Sequence, residues 1–255
     1  MNIKERHSRI LAMLHASEMV EIGELCRSLD VSRETVRKDL YELELDGRLT
    51  KVRGGAVLTS TNVESAYDLR KAKHAAAKKA IAQVAATLIQ PGDTVFLDYG
   101  TTTFMLAEEL LAAEGITVVT NAIPIVNKLL PNTSITLMIP GGIVRANENS
   151  LYGPLTSRNM ENLFMNVGFF GCGGIDARAG VTNHNIFETA ISSRAIGQCQ
   201  RVVLLADHTK FGVVAVNKTA ELGQIDLLIT DHAAPADTVS TLSGMGVAVQ
   251  LAEKY

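Results

Sequence analysis

Apolar positions recur with a helical period from residue 1 to about 57, and charged residues fill the intervals. Ile10, Leu11 and Leu14 make the inward stripe of a helix over about Lys4 to Ala16, and Ile22, Leu25 and Leu29 that of a short second helix, IGELCRSL. Asp-Val-Ser then turns the chain, with Ser32 placed to cap a third helix on which Val36, Leu40 and Leu43 fall at i, i+4 and i+7. The run GRLTKVRGGAVL predicts a β-hairpin, with Gly47 ending the preceding helix and Arg53-Gly54-Gly55 forming the turn. After residue 57 the pattern lapses, and TSTNVESAYDLRKAKH reads as a linker over residues 58–74 with some local helix.

From residue 75 the period changes. TVFLDYG, ITVVTNA, SITLMIPGG, VGFFGCGG, RVVLLAD, DLLITD and VAVQLAE are apolar runs of strand length, separated by helix-like stretches such as AAKKAIAQVAATLIQ, FMLAEELLAA and FETAISSRAIGQ. Near-continuous Val/Ile/Leu runs belong to strands buried on both faces, and their alternation with helices predicts a mainly parallel sheet. The expected fold class is α/β: a small N-terminal winged helix-turn-helix domain, residues 1–57, and a larger open α/β domain, residues 75–255.

Composition restricts what such a chain does. With 255 residues, 47% of them hydrophobic, it can bury a large core. A net charge of -3 and a pI of about 6.1 provide no global positive field, so any nucleic-acid contact must be local. Cys26, Cys172 and Cys199 are odd in number and far apart, which fits neither a disulfide framework nor a paired metal-ligand motif. The histidines at 7, 15, 74, 184, 208 and 232 form no close-spaced pair, so neither a metal nor a cofactor is expected. The N-terminus lacks the unbroken apolar segment of a signal peptide and no membrane-length apolar run occurs, which makes a cytoplasmic protein the expectation.

Opposite its apolar stripe the third helix carries Arg33, Thr35, Arg37 and Lys38. Two helices joined by a tight turn let the second enter a major groove, where Arg can pair with guanine, Thr can reach a base and Lys can neutralise phosphate. Lys51 and Arg53 on the wing are positioned for the backbone or minor groove. The expected DNA-binding residues are thus Ser32, Arg33, Thr35, Arg37, Lys38, Lys51 and Arg53. Residues 1–57 hold ten Lys/Arg and ten Asp/Glu, but six of those cations lie between Arg33 and Arg53. A formally neutral module binds DNA weakly alone, which implies dimerisation on a two-fold operator. The stretch from Glu5 to Ala56 resembles the N-terminal signature of the DeoR family of bacterial transcriptional regulators, in which a VSxxT[IV]R-K/R-DL core precedes a GxLx[KR]VxGGA wing. Arg53 stands where the family usually has His and keeps a donor at the wing tip.

In open α/β sheets ligands bind at the carboxyl ends of strands. There FLDYGTTT places Asp98, Gly100, Thr101, Thr102 and Thr103 before a helix, an anion cradle of amides and hydroxyls. Other strand ends contribute Thr120 and Asn121; Gly141, Gly142 and Arg145; Asp176; and Asp207, His208 and Lys210. Asp and Asn suit sugar hydroxyls, while amides, Thr and Lys suit phosphate, so the expected effector site is Asp98, Gly100, Thr101, Thr102, Thr103, Asn121, Gly142, Arg145, Asp176 and Lys210. These segments resemble the DeoR C-terminal effector domain, itself similar to the sugar-phosphate isomerase fold. The resemblance implies Gly100, Thr101 and Thr102 for phosphate, Asp98, Asp176 and Lys210 along the sugar, and a homo-oligomer, dimer or tetramer. Two departures, Asn166 and the run TNHN at Thr182 to Asn185, are expected near the pocket rim.

The function expected is a repressor of a sugar or sugar-acid catabolic operon, relieved by a phosphorylated sugar. The alternative is an isomerase-like enzyme with Asp176 or Glu188 as base and Lys210 as electrostatic partner, but fusion to a DNA-binding module favours sensing over catalysis. A dinucleotide sensor is disfavoured because GCGGID breaks the GxGxxG spacing.

Overall fold

The computed structural model describes residues 2–17, 19–45, 48–58, 67–146 and 148–254. They form two compact units, residues 1–73 and 74–255. Unit one runs α1 (Ile3–Ser17), β1 (Met19–Glu21), α2 (Ile22–Leu29), α3 (Arg33–Leu45), β2 (Leu49–Val52), β3 (Gly55–Leu58) and α4 (Tyr67–Ala72). The helical stripes converge as their spacing requires: Ile10, Leu14, Leu25, Val36, Leu40 and Leu43 are buried in one cluster with Leu49 and Ala56. Truncating Ile10 or any of these leucines to Ala would remove about 2–5 kcal/mol from a core this small.

The wing turn is tighter than the sequence reading. Val52 pairs with Gly55, leaving Arg53 and Gly54 as a two-residue turn with Gly54 at φ +92. Gly55 belongs to β3, and glycine is required there because β1 crosses it: a Cβ would overlap the Val20 carbonyl oxygen. The short β1 completes an antiparallel sheet of order β1-β3-β2; three residues are too few for an alternation to register in the sequence. Gly47 and linker residues 59–66 lie outside the described residues, and the linker's remaining portion includes α4.

Unit two contains α5 (Ala75–Ala86), β4 (Thr94–Leu97), α6 (Thr101–Glu109), β5 (Thr117–Thr120), α7 (Ile123–Leu129), β6 (Thr136–Met138), β7 (Ile143–Arg145), β8 (Ser150–Tyr152), α8 (Pro154–Met160) and β9 (Met165–Phe170). It continues through β10 (Gly174–Asp176), β11 (Gly180–Asn183), α9 (Ile186–Ile196), β12 (Cys199–Leu205), β13 (Asn217–Ala220), β14 (Leu227–Thr230), α10 (Ala236–Gly244) and β15 (Ala248–Leu251). The seven apolar runs are the seven strands of one parallel sheet, in the order β15-β14-β12-β9-β4-β5-β6. Both faces are covered. Along β4, Val95 and Leu97 enter the cluster containing Ile81 and Leu106, while Phe96 enters the opposite cluster with Met160, Ile196 and Leu242. A β7–β8 hairpin and an antiparallel sheet of β10, β11 and β13 stand apart from the central sheet.

Candidate functional site

In unit one, Asp30 closes α2 in the left-handed conformation at φ +52, and the chain re-enters helix at Arg33, three residues later. Ser32 Oγ accepts the Thr35 amide at 3.2 Å and lies 2.9 Å from the Thr35 hydroxyl, so these two side chains cap α3. Arg33, Arg37 and Lys38 are exposed on the face opposite Val36 and Leu40. The inward face carries a buried acid, Asp39, whose two oxygens accept from the Arg6 guanidinium on α1, with His7 Nε2 at 3.2 Å. His7, Asp39 and Glu42 are the one group of potential metal ligands among the described residues, but Arg6 already occupies both oxygens of Asp39. Lys51 does not reach freely outward: its ammonium pairs with Glu44 at 3.2 Å and sits over the Tyr41 ring, fastening the wing to α3. Arg53 stands exposed at the wing tip.

In unit two the chain leaves β4 for β5 and β6 on one side, then returns to build β9, β12, β14 and β15 on the other. This reversal between β4 and β9 is where open α/β sheets form a ligand crevice. Asp98 ends β4 there, fully buried. Burial pushes its carboxyl well above the usual carboxylate range, and the nearby Glu188 charge adds to the effect; the Ser192 hydroxyl at 2.9 Å and the amides of Tyr99 and Gly171 act in the opposite sense without cancelling it.

Gly100 follows at φ +137, a conformation open to glycine alone, and α6 begins with the threonine triplet. The triplet divides. Thr103 donates to the carbonyls of Asp98 and Gly100 at 2.7 and 3.1 Å, closing the turn, whereas Thr101 and Thr102 have no side-chain hydrogen bond among the described residues. Two hydroxyls and the first amides of α6 are thus left to a ligand. Asn121, buried at the end of β5, donates to the Leu151 carbonyl at 3.2 Å while its Oδ1 lacks a partner, an acceptor suited to a ligand hydroxyl.

Arg145 is engaged by the wholly buried Glu188 of α9, which also accepts from the Ser150 hydroxyl. One turn along the same helix, Ser192 holds Asp98. Glu188, named from the sequence only as the base of the alternative enzyme, and Ser192, not named there, are therefore structural parts of the site. Their i, i+4 polar spacing on one helical face is the signal that joins them. Lys210 lies on the 3-10 turn His208–Lys210. Burial alone would raise the Asp207 carboxyl, but the charges of Lys210 and Lys78 and hydrogen bonds from Thr209 outweigh it and hold the group below the usual range. Burial pushes the neighbouring Cys172 thiol up to about 12. His208 Nδ1 lies 2.8 Å from Asp231, and its ring meets that of His74 edge-on at 4.8 Å, a pairing in space that sequence separation conceals.

Other candidates have structural tasks. Asp176 accepts the amides of Arg178 and Ala179 at 2.8 and 3.0 Å, which hold its carboxylate below the usual range at the tip of the β10–β11 turn. Gly142, at φ +128, is glycine because a Cβ would overlap the Thr156 hydroxyl. Asn166 is not at the rim: it accepts the Thr94 amide at the amino ends of β4 and β9. Within TNHN, Thr182 and Asn183 bond to backbone and to Thr219, and Asn185 caps α9.

Residues 6–62 match the family model of the DeoR-like helix-turn-helix domain, and residues 73–232 that of the DeoR C terminal sensor domain. The chain belongs to the DeoR family. It is a DNA-binding transcriptional regulator of mixed α/β fold. This DeoR-family chain is 34% identical over 250 residues to the HTH-type transcriptional regulator GolR of Listeria innocua, covering 98% of each. It is 32% identical to the putative aga operon transcriptional repressor of Escherichia coli O157:H7, covering 97% of this chain and 93% of that one. Relatives of this kind are named as regulators and not as enzymes. Among solved structures, ribose 5-phosphate isomerase A from Methanocaldococcus jannaschii matches 52% of this chain and 53% of its own at 14% identity and a TM-score of 0.38. Among the described residues of this DeoR-family regulator no helix is long and apolar enough to cross a membrane.

Proposed function

We propose that this regulator is a cytoplasmic repressor of a sugar or sugar-acid operon, and that a phosphorylated sugar bound in the sensor unit weakens its hold on operator DNA. One observation carries the reading: at the sheet's switch point the protein's own bonds account for Thr103 but leave Thr101, Thr102 and the Asn121 acceptor unpartnered among the described residues, beside a buried acid. The phosphate lies against the α6 amides and the hydroxyls of Thr101 and Thr102; the sugar hydroxyls meet Asn121 and Asp98; Lys210 contributes positive charge. Glu188 positions Arg145, and Asp176, Thr103 and Gly142 shape the surrounding backbone.

Arg33, Arg37 and Lys38 of α3 contact the operator, with Arg53 at the wing tip; Ser32 and Thr35 orient the helix and Lys51 the wing. Two such modules in a homo-oligomer read two half-sites. Differential affinity of the ligand for two arrangements couples the sites reciprocally, typically by about 1–3 kcal/mol. The relatives named for the aga operon and the glycerol-3-phosphate regulon support a carbohydrate setting. Fluorescence anisotropy of labelled upstream DNA, at fixed salt, against phosphorylated sugars and their unphosphorylated counterparts tests it. Release by one phosphorylated sugar alone is expected, and release by the unphosphorylated form just as readily would overturn the phosphate cradle.

A further inference from the structure

The chain passes between its two units once, at Lys73 and His74. On one side α4 ends at Ala72, with the Lys73 amide still donating to the Leu69 carbonyl at 3.2 Å. On the other side α5 begins, with the Lys78 amide donating to the His74 carbonyl at 3.1 Å. Between these helical bonds His74 stands in the left-handed conformation, φ +51 and ψ +37. L side chains adopt it rarely, and steric clashes separate that small region from the right-handed one. The torsions of one residue thus decide how the chain turns from α4 into α5, and they have discrete settings rather than a continuous range.

Each side of this junction touches a functional element of its own unit. Within unit one, α4 lies against α3, the helix of Arg33, Arg37 and Lys38. Within unit two, the His74 ring meets the His208 ring edge-on, with centroids 4.8 Å apart and planes at 81°. His208 is itself held by the wholly buried Asp231, which accepts its amide at 2.7 Å and lies 2.8 Å from its Nδ1. Lys210 ends the same 3-10 turn two residues on. One helical turn past His74, the charge of the buried Lys78 acts on Asp207, the residue that caps that turn. Helix α5 also packs along α6, which opens with Thr101 and Thr102. The start of α5 is therefore tied to both elements that would hold a phosphate.

We propose that His74 is the hinge through which occupation of the sensor site is felt at the DNA-binding unit, an inference that rests on the phosphorylated-sugar sensor proposed above. A phosphate drawn against Lys210 and the α6 amides displaces the His208–Lys210 turn, and the His208 ring carries that displacement onto His74. A change of setting at His74 re-aims α4, against which the recognition helix lies. Asp231 makes the transfer stiff, because it fixes both the backbone and the ring of His208. Without the His74 ring the two sites remain intact but no longer answer to each other.

The test uses the full chain, an operator duplex selected by its binding to wild type, and the variants His74→Asn and His74→Gly. Both replacements tolerate the left-handed backbone and lack the ring. The first measurement needs no sugar: hydrogen exchange across residues 206–212 with and without the duplex. By reciprocity, operator binding should change exchange there about 5-fold or more in wild type and less than about 2-fold in both variants. The second is anisotropy of the duplex against the panel of phosphorylated sugars. The sugar that weakens wild-type binding about 10-fold should weaken that of the variants less than about 2-fold, although each variant binds the duplex alone, and that sugar alone, as wild type does. Loss of either separate affinity would make His74 a structural residue and overturn the hinge. Exchange that answers to DNA equally in wild type and variants, or not at all in wild type, overturns it too, as does undiminished release. Should one variant fail to fold, the other decides. If no sugar in the panel releases wild type while the exchange result stands, the sensor reading fails and the coupling through His74 survives; if a sugar releases wild type and variants alike, the reverse holds.

Discussion

Removing Arg145 tests the electrostatic logic of the sensor unit most directly. Glu188 is wholly inaccessible to solvent, and its carboxylate is satisfied by the Arg145 guanidinium and the Ser150 hydroxyl. Arg145→Ala takes a cationic partner from that buried charge, a change that in proteins removes about 3–5 kcal/mol. The Arg145 side chain is 20% exposed, so water can follow the vacated guanidinium, and the lower end applies, about 3 kcal/mol. At roughly 2–4 °C per kcal/mol for a unit of this size, the sensor transition should fall by about 6–12 °C. Glu188→Gln in the same background removes the stranded charge, so the double variant should recover more than half the loss, since a buried pair removed as a pair is close to neutral. Urea and thermal unfolding of the full chain at neutral pH, with all four members of the cycle, provide the measurement. A loss below about 1 kcal/mol for Arg145→Ala, or a double variant as unstable as the sum of the singles, would show that Glu188 does not depend on Arg145.

Three further outcomes follow from particular contacts. Arg37→Ala should weaken operator binding by about 10-fold or more and spare sugar-phosphate binding, whereas Lys210→Ala should do the reverse; a swapped result in anisotropy and thermal shift would overturn both roles. Gly55→Ala should loosen the wing, because its Cβ overlaps the Val20 carbonyl, lowering operator affinity while the sensor unit melts as in wild type; unaltered affinity would show that β1 simply moves aside. Asp98 takes up a proton more readily in the native than in the unfolded chain, so its contribution to stability is lost as pH rises above the unfolded value near 3.9. Asp98→Asn, neutral at every pH, should therefore gain on wild type in urea midpoints as pH rises above about 4, and parallel pH profiles would contradict the buried neutral acid.

The sequence carries the larger elements because their periods are long enough to register. Each of the seven apolar runs is a strand of the central sheet, and IGELCRSL coincides with α2. Short pieces were hidden for a physical reason: β1, β7, β8 and β10 have three residues each, and α7 and α8 seven, too few to repeat a pattern. Site residues were legible as types and not as roles. Asp98 and Asp176 both stand at strand ends, yet one is buried against Ser192 and the other bonds to its own turn, because a turn's amides can saturate a half-buried carboxylate that lies within three residues of them. The same holds within TTT, where the helical rotation of about 100° per residue turns Thr103 back onto Asp98 and leaves its two predecessors free of it.

What the sequence could not disclose is mostly partnership across the chain. Asp39 with Arg6, Lys51 with Glu44, Glu188 with Arg145 and His208 with Asp231 join residues from 7 to 43 positions apart, and each pairing decides whether a charge is available to a ligand or committed to the fold. Helix α9 concentrates the effect. Glu188 and Ser192 share its inner face one turn apart, so the acid at the switch point and the hairpin outside it are held by the same rigid element. A ligand that displaces either hydrogen bond acts on the helix that carries the other residue as well. A sensor site joined to the surface by one helix needs only a small displacement to be felt there, and the Arg145–Glu188 cycle measures how stiffly that helix is held.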